Sequence, residues 1–439
     1  MVVQRLLTVV LLAAPLVAPG ARLHAQGRPA AAPDADLLAR ARAIHDRVIT
    51  LDTHNDINPA NFTPERNYTQ RLPTQVNLPA MEAGGLDASF FIVYVGQDDD
   101  FTPQAYGQAY DEAIGKFRAI HWLVDSIAPD RIGLARSAAD VRRIAASGRK
   151  VALIGVENGY PLGDDIRRVR EFHDLGARYL SLAHNGHSQL SDSNTGERDG
   201  VWKWNGLSPF GKAVVAELNR VGIMIDVSHP SKESMMQTIA LSRAPIIASH
   251  SAMRALCDHS RNLDDEQLQA LKRNGGVVQV VAFNSYVKTP PPPSPERAAA
   301  IAALRAEFGL PAPGGGRGGF GALTPERRAA FRQRMTALDE QFPPPPRATV
   351  ADFVDHIDYA VNLIGIDHVG ISSDFDGGGG VEGWNDAGET FNVTLELVRR
   401  GYTEEQIAKL WSGNLLRVME EVQGVAKRLR DGTLIDGES

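Results

Sequence analysis

Eight short apolar runs, spaced by amphipathic helical stretches, constrain this chain more than any other feature. They cover residues 48–51, 88–95, 151–156, 178–182, 222–227, 245–248, 276–282 and 368–372. Most are continuously apolar and rich in β-branched residues, as strands buried on both faces must be. Helical periodicity marks the intervening stretches 105–127, 208–221, 231–241 and 264–274. Strands alternating with helices form parallel βαβ units, and eight of them predict a closed (β/α)8 barrel of the TIM type. A doubly wound open sheet is the alternative. The 439 residues fit one such domain, with an insertion at about 288–346 between the seventh and eighth strands. That insertion opens with four prolines after Thr289, carries a Gly-rich stretch over 314–319 and closes on Pro343–Pro346. Its helical parts, 296–308 and 325–342, are rich in Ala and Arg and only weakly apolar. A surface excursion, partly mobile, is expected rather than a second domain.

The N-terminus reads as a signal peptide over residues 1–25. Arg5 precedes the apolar run 6–18, and Leu23-His24-Ala25 ends in the small residue that a signal peptidase requires. The run is too short and too Pro-broken to span a membrane, and no lipid-anchor signal follows at the polar C-terminus. Export to the periplasm, without a stable membrane anchor, is the expectation. Cys257 is the only cysteine, so no disulfide forms within the chain and a hydrophobic core must supply stability. A net charge of -7 gives no electrostatic reason to expect nucleic acid as a partner.

Polar residues gather where the runs end. The first run leads into Thr53-His54-Asn55-Asp56, the third ends at Glu157, the fourth at His184, and the fifth at Ser228-His229. The sixth ends at Ser249-His250 and the eighth at Asp374. In a β/α barrel these ends converge on the face that carries the active site. Clustering them adds nothing to stability, because unpaired buried polar atoms cost free energy. His54 and Asp56 are spaced i, i+2, so an extended backbone turns both to one side. Glu157 follows a wholly apolar run, and bridging two cations would satisfy both of its oxygens. His54, Asp56 and Glu157 then hold one ion, and Glu157, His229 and His250 the other. Each ion keeps an open position, as catalytic zinc sites do. Two ions about 3.5–4 Å apart can share a hydroxide. His45, His121, His173 and His356 fall in helical stretches and are expected on the exterior. His368 starts a strand at the opposite end. His187 and His259 stand either behind the ligands or on a loop surface.

Several motifs occur in order: Leu51-Asp-Thr-His-Asn-Asp56, Gly155-Val-Glu-Asn-Gly159, Tyr179-Leu-Ser-Leu-Ala-His184 and Asp226-Val-Ser-His229. Ser249-His-Ser251, Arg261-Asn262, Gly370-Ile-Ser-Ser-Asp-Phe-Asp-Gly377 and Trp411-Ser-Gly-Asn-Leu-Leu-Arg417 complete the series. Together they resemble the membrane (renal) dipeptidases, zinc metallopeptidases of the amidohydrolase-type barrel. The resemblance implies two zinc ions per chain, bridged by Glu157 and a water or hydroxide, on the five ligands His54, Asp56, Glu157, His229 and His250. It implies that His184 sits near the scissile carbonyl, that Arg261 receives the substrate carboxylate, and that Asp374 handles protons. The expected activity is hydrolysis of dipeptides, including those with a C-terminal D-residue, by attack of metal-held hydroxide. A related amidase, lactonase or β-lactam hydrolase on the same site is the alternative, and a non-catalytic binding protein a more distant one. A small peptide is the expected partner, and a homodimer is compatible with the sequence. After the seventh strand, where many relatives have an aromatic residue, the chain reads Phe283-Asn-Ser-Tyr286, which leaves substrate contacts there open.

Overall fold

Nine parallel strands form one sheet, and eight of them curl into a nearly closed barrel in a computed structural model that describes residues 34–311 and 323–434. The strands are β1 (Leu51–Asp56), β2 (Ala88–Tyr94), β3 (Ile132–Leu134), β4 (Lys150–Glu157), β5 (Ala177–Ser181), β6 (Met224–Asp226), β7 (Ile247–Ser251), β8 (Val277–Val281) and β9 (Val369–Ser372). Their order is β1-β2-β4-β5-β6-β7-β8-β9, with β3 paired outside this path against β4. The TIM-type barrel expected from the alternation is therefore present, and β3 is an addition that the apolar pattern did not announce. The helices Pro209–Val221, Lys232–Leu241 and Asp265–Asn274 start where Ser208, Ser231 and Asp264 accept a backbone N–H three residues on. Such caps satisfy donors that a helix start leaves without a partner.

Two strands lie further along the chain than their apolar runs suggested. β1 begins at Leu51 rather than at 48, and β7 extends through Ser251 rather than stopping at 248. In both cases the ladder continues through polar residues that are buried, so hydrophobicity alone ends the strand too early. The period-2 alternation explains which residues face inward. On β2, Ala88, Phe90 and Ile92 join the cluster inside the barrel, while Phe91 and Val93 pack outward against helices. On β4 the inward set is Val151 and Leu153, and the same parity carries Gly155 and Glu157 toward the barrel axis. β1 and β7 each carry a register shift, between Asp52 and Asn55 and between Ala248 and Ser251. An irregularity of this kind re-aims side chains, and here each one contains or adjoins a histidine of the site.

Strand β9 meets β1 by side chains more than by a ladder. Asp52 accepts the Ser373 N–H at 2.9 Å and the Ser373 hydroxyl, and the Asp56 N–H donates to the Phe375 carbonyl at 2.9 Å. The helix Asn414–Arg430 shares the inner cluster through Leu415, Leu416, Met419 and Val422. Ahead of it, the capping box at Thr403 starts a short helix, Glu404–Ala408, and a wide turn over Lys409–Gly413 joins the two.

The insertion folds on itself. Its helices, Pro295–Glu307 and Pro325–Gln341, bury Leu304, Leu310, Leu323 and Phe331 in a cluster separate from both barrel clusters. The Gly-rich 314–319 stretch and the signal-peptide reading of 1–25 lie outside the described residues.

Two helical histidines expected on the exterior are buried. His45 Nε2–H donates to the Gly84 carbonyl at 2.9 Å, and Nδ1 lies 2.7 Å from Thr394 Oγ1. His356 Nε2–H donates to the Val287 carbonyl at 2.8 Å, and Nδ1 accepts the Met253 N–H at 3.0 Å. Both ring nitrogens are satisfied, which lets an imidazole sit on the core face of a helix, and burial pushes both pKa values down. His121 and His173 remain partly exposed, and His368 bonds Gly276 at the far end of the barrel as expected.

Candidate metal centre

The five candidate ligands read from the sequence converge at the C-terminal mouth of the barrel, together with His184 and Asp374. Glu157 stands at the centre. Its Oε2 lies 3.5 Å from His54 Nε2, while its Oε1 lies 2.9 Å from His229 Nε2, 3.3 Å from His250 Nε2 and 3.9 Å from His184 Nε2. The two oxygens thus face different imidazoles. Asp56 Oδ2 and Asp374 Oδ1 each lie 3.8 Å from His54 Nε2. Three overlapping groups lie within 4.8 Å of one another: His54, Glu157 and His250; Glu157, His184 and His229; and His54, Asp56 and Asp374. Proximity alone therefore also brings His184 to Glu157 and His250 to His54.

Three histidines have their outward nitrogen engaged. Tyr179 donates its hydroxyl to the Thr53 carbonyl at 3.1 Å and accepts from His54 Nδ1 at 2.9 Å. Ser249 donates to Asp226 Oδ2 at 2.7 Å and accepts from His250 Nδ1 at 2.8 Å. Asn185 Oδ1 accepts from His229 Nδ1 at 3.1 Å. Each Nδ1 thus carries a proton, and each Nε2 faces the cluster, where it offers a lone pair to a bound cation or, without one, can hold a proton toward Glu157. His54 Nε2 is buried with no hydrogen-bond partner, and His229 Nε2 faces His250 Nε2 at 3.0 Å. Lone pairs converging on a carboxylate repel unless a cation stands among them. This donor set of imidazoles and carboxylates fits divalent metal ions.

Electrostatics follow from the same crowding. Burial raises the Glu157 pKa, yet the imidazoles around it hold it well below the usual carboxylate range. His229 and His250 are pushed well down by burial, with Arg261 adding to the effect on both. Burial also lowers His54, but Glu157, Asp56 and Asp374 bring it well above the usual imidazole value. Asp374 is pushed up to about 8, first by burial and further by Asp56 and Glu157, with His54 and Arg261 opposing. Gly377 makes room for this pair of acids. A Cβ there would come within 2.3 Å of Asp56 Oδ2 and 2.4 Å of Asp374 Oδ1. Asn158, His229 and Asp374 all have positive φ, at 76°, 78° and 59°. Left-handed backbone in non-glycine residues is strained, and here it occurs at or beside site residues.

Arg261 reaches the same mouth. It is 3% exposed, and its guanidinium donates to the His250 carbonyl at 3.1 Å, with Ser251 Oγ at 3.5 Å. Its Nε has no partner, and no carboxylate of the described residues pairs with it. The Tyr286 ring lies 5.5 Å from the guanidinium, stacked on Phe283 and tilted against His259. The sequence left the contacts after the seventh strand open; the turn Asn284–Val287 puts an aromatic there. His259 stands behind Arg261, whose N–H its Nδ1 accepts at 3.1 Å. His187 lies in the loop after β5 and pairs with Asp192 at 3.0 Å.

Reading the sequence placed Tyr179, Asp226 and Ser249 inside motifs without giving them a role, and did not name Asn185. The available signal for a role was polarity at apolar strands, since Asp226 interrupts the run 222–227 and Ser249 follows the run 245–248. The residue type of Tyr179 pointed to no role, because aromatics are common in strands.

Comparison with known proteins agrees with this geometry. The profile of the family described as membrane dipeptidase (peptidase family M19) matches residues 38–432. The chain is 32% identical to dipeptidase aclJ of Aspergillus oryzae over 88% of its own length and 81% of that protein. It is 31% identical to dipeptidase tcpJ of Claviceps purpurea, over 82% and 72% of the two chains. Among solved structures, it resembles the probable dipeptidase PvdM of Pseudomonas aeruginosa with 35% identity and a TM-score of 0.75, over 89% of this chain and 99% of that one. A barrel of this type, a mouth lined with metal-fitting donors and these relatives lead to one assignment: the chain belongs to the membrane dipeptidase family, peptidase family M19, and is a metal-dependent dipeptidase.

Proposed function

We propose that this chain is a zinc dipeptidase acting on dipeptides with a free C-terminal carboxylate, including those whose second residue is D. The observation that carries the reading is the buried Arg261 guanidinium, which lacks an anionic partner among the described residues while donating to the carbonyl of His250. A guanidinium fork suits a carboxylate, and a buried cation without a counter-ion is costly until one arrives. Because Arg261 bonds the backbone of a candidate ligand, the carboxylate is bound close to the reacting centre. That proximity favours a short substrate. The D-residue range rests on the family resemblance.

His54, Asp56 and Glu157 would hold one zinc ion and Glu157, His229 and His250 the other, with Glu157 as the bridge. Ions bound there supply Lewis-acid charge to water and to the carbonyl. The protein's own groups do the rest. Arg261 binds and orients the carboxylate, with the Tyr286 ring beside it. His184, next to Glu157 at the rim of the cluster, stands where it stabilises charge developing on the carbonyl oxygen. Asp374, whose Oδ1 lies 3.8 Å from His54 Nε2 at the edge of the cluster, is placed to take a proton from the attacking water and pass it to the departing amine. Purified protein should hydrolyse L-Ala-D-Ala or Gly-D-Ala, lose that activity to a chelator and regain it with zinc. Equal or better turnover of a dipeptide amide or an uncharged lactone would overturn the substrate reading.

Export to the periplasm belongs to the same proposal, supported by Arg5, the apolar run after it and Leu23-His24-Ala25. Mature protein beginning near residue 26 is the expected result of N-terminal sequencing.

A further inference from the structure

Tyr179 is one of the fully buried groups behind the cluster. It lies on β5 with no exposed surface, and its ring packs 5.0 Å from Phe90 among the inward-facing side chains. The strand beside it is shaped to admit that ring. Gly155 on β4 pairs in register with Tyr179, and a Cβ at Gly155 would come within 2.2 Å of the ring. Any side chain there would push the phenol toward the site or out of its place. The hydroxyl then meets two partners on β1. Thr53 offers a carbonyl, which only accepts, so the phenol proton goes to it at 3.1 Å. The remaining hydroxyl lone pair accepts from His54 Nδ1 at 2.9 Å.

We infer that Tyr179 is a positioning residue that holds His54 in the Nδ1–H tautomer and aims its Nε2 lone pair into the metal cluster, with Gly155 providing the space for the phenol. The role bears first on one imidazole. His250 leans on the Ser249–Asp226 pair and His229 on Asn185; the Tyr179 hydroxyl also interacts with Ser249 but touches neither of those two rings, so its loss should reach His54 most. An outer hydrogen bond of this kind is worth about 10- to 100-fold in metal affinity. The inference rests on the reading of His54 as a metal ligand.

The test is a double-mutant cycle on metal binding, measured by stepwise zinc titration of metal-free protein against a competing chelator. His54→Ala should bind one ion fewer than the parent. Tyr179→Phe keeps the ring packing and should bind both ions, one of them about 10- to 100-fold more weakly. Adding Tyr179→Phe to His54→Ala should change the remaining ion's affinity far less, because the imidazole that it chiefly serves is gone. Gly155→Ala, which crowds the phenol without removing it, should weaken the same binding step if the variant folds. Parent-like titration of Tyr179→Phe overturns the inference. So does a loss of equal size in the His54→Ala background, which marks a general structural role. Two ions retained by His54→Ala overturn the metal reading itself, and the role of Tyr179 with it.

Discussion

The barrel mouth and the insertion over 288–346 are built on opposite plans. At the mouth, polar groups are buried, and three of the histidines are braced from behind by a residue of another strand or loop, or of their own strand. In the insertion, two helices and the residues flanking them share a four-residue apolar cluster of their own, and arginines pair locally, the buried Arg297 with Asp339 and the exposed Arg334 with Glu307. Burying a polar group costs about 1–3 kcal/mol unless it is satisfied, so the mouth persists only because its geometry is over-determined. In the insertion the buried Arg297 is satisfied within the excursion itself, by Asp339 and the Phe342 carbonyl. Sites that need fixed geometry are placed on strands, and excursions that do not need it can pack on themselves.

Breaking the mouth should have the largest effect. Glu157→Gln offers one neutral oxygen where the carboxylate presents two charged ones to different imidazoles. Dipeptidase activity should fall by more than about 100-fold, the upper range for a group merely behind a ligand, and at least one metal equivalent should be lost. Elemental analysis that finds two ions retained would refute the bridging assignment.

The next largest effect tests whether the mouth is tuned for a carboxylate. Arg261→Met preserves bulk and removes a charge-assisted bond worth roughly 1.5–3 kcal/mol, so kcat/KM for a dipeptide should fall by about 10- to 150-fold. Metal content should stay unchanged, and turnover of the dipeptide amide should lose little. Equal losses on both substrates would assign Arg261 a structural role.

A smaller effect concerns pH in the metal-free protein. The Asp374 carboxyl rises from 3.8 to about 8 on folding, so the folded chain holds this proton more tightly than the unfolded one. Stability is then lost as pH rises through that window, because ionising the group is harder in the fold. Asp374→Asn cannot ionise. Its thermal midpoint should drop less than the parent's between about pH 5 and about pH 8. Identical drops would show that Asp374 does not carry the effect.

The smallest change is expected from the other region. Replacing residues 289–346 with a short Gly/Ser linker removes a cluster that the barrel does not share. The product should stay soluble, bind metal as the parent does and unfold within a few degrees of it. Insoluble or metal-free protein would show that the insertion supports the mouth after all.

Much of the site was legible before the fold was known. His54, Asp56, Glu157, His229 and His250 stand out because a charged or ionisable residue after an apolar run needs a reason. His45 and His356 show where that reading stops. Each sits in a helical pattern that fits the surface, yet each is buried because partners 39 to 349 residues away satisfy its nitrogens. The role of Tyr179 behind His54 escaped for the same reason, since the two are 125 residues apart and no local pattern links them.

The sequence by itself determined the alternation that makes a barrel, the donors at its strand ends and the caps that start its helices, because these depend on local periodicity and local hydrogen bonds. Only the tertiary structure decided which way each donor points. The register shifts in β1 and β7, the room left by Gly155 and Gly377, and the partners behind each imidazole arise from strands meeting across the barrel. A chain read residue by residue carries no distance between segments, and a metal-fitting geometry consists of such distances.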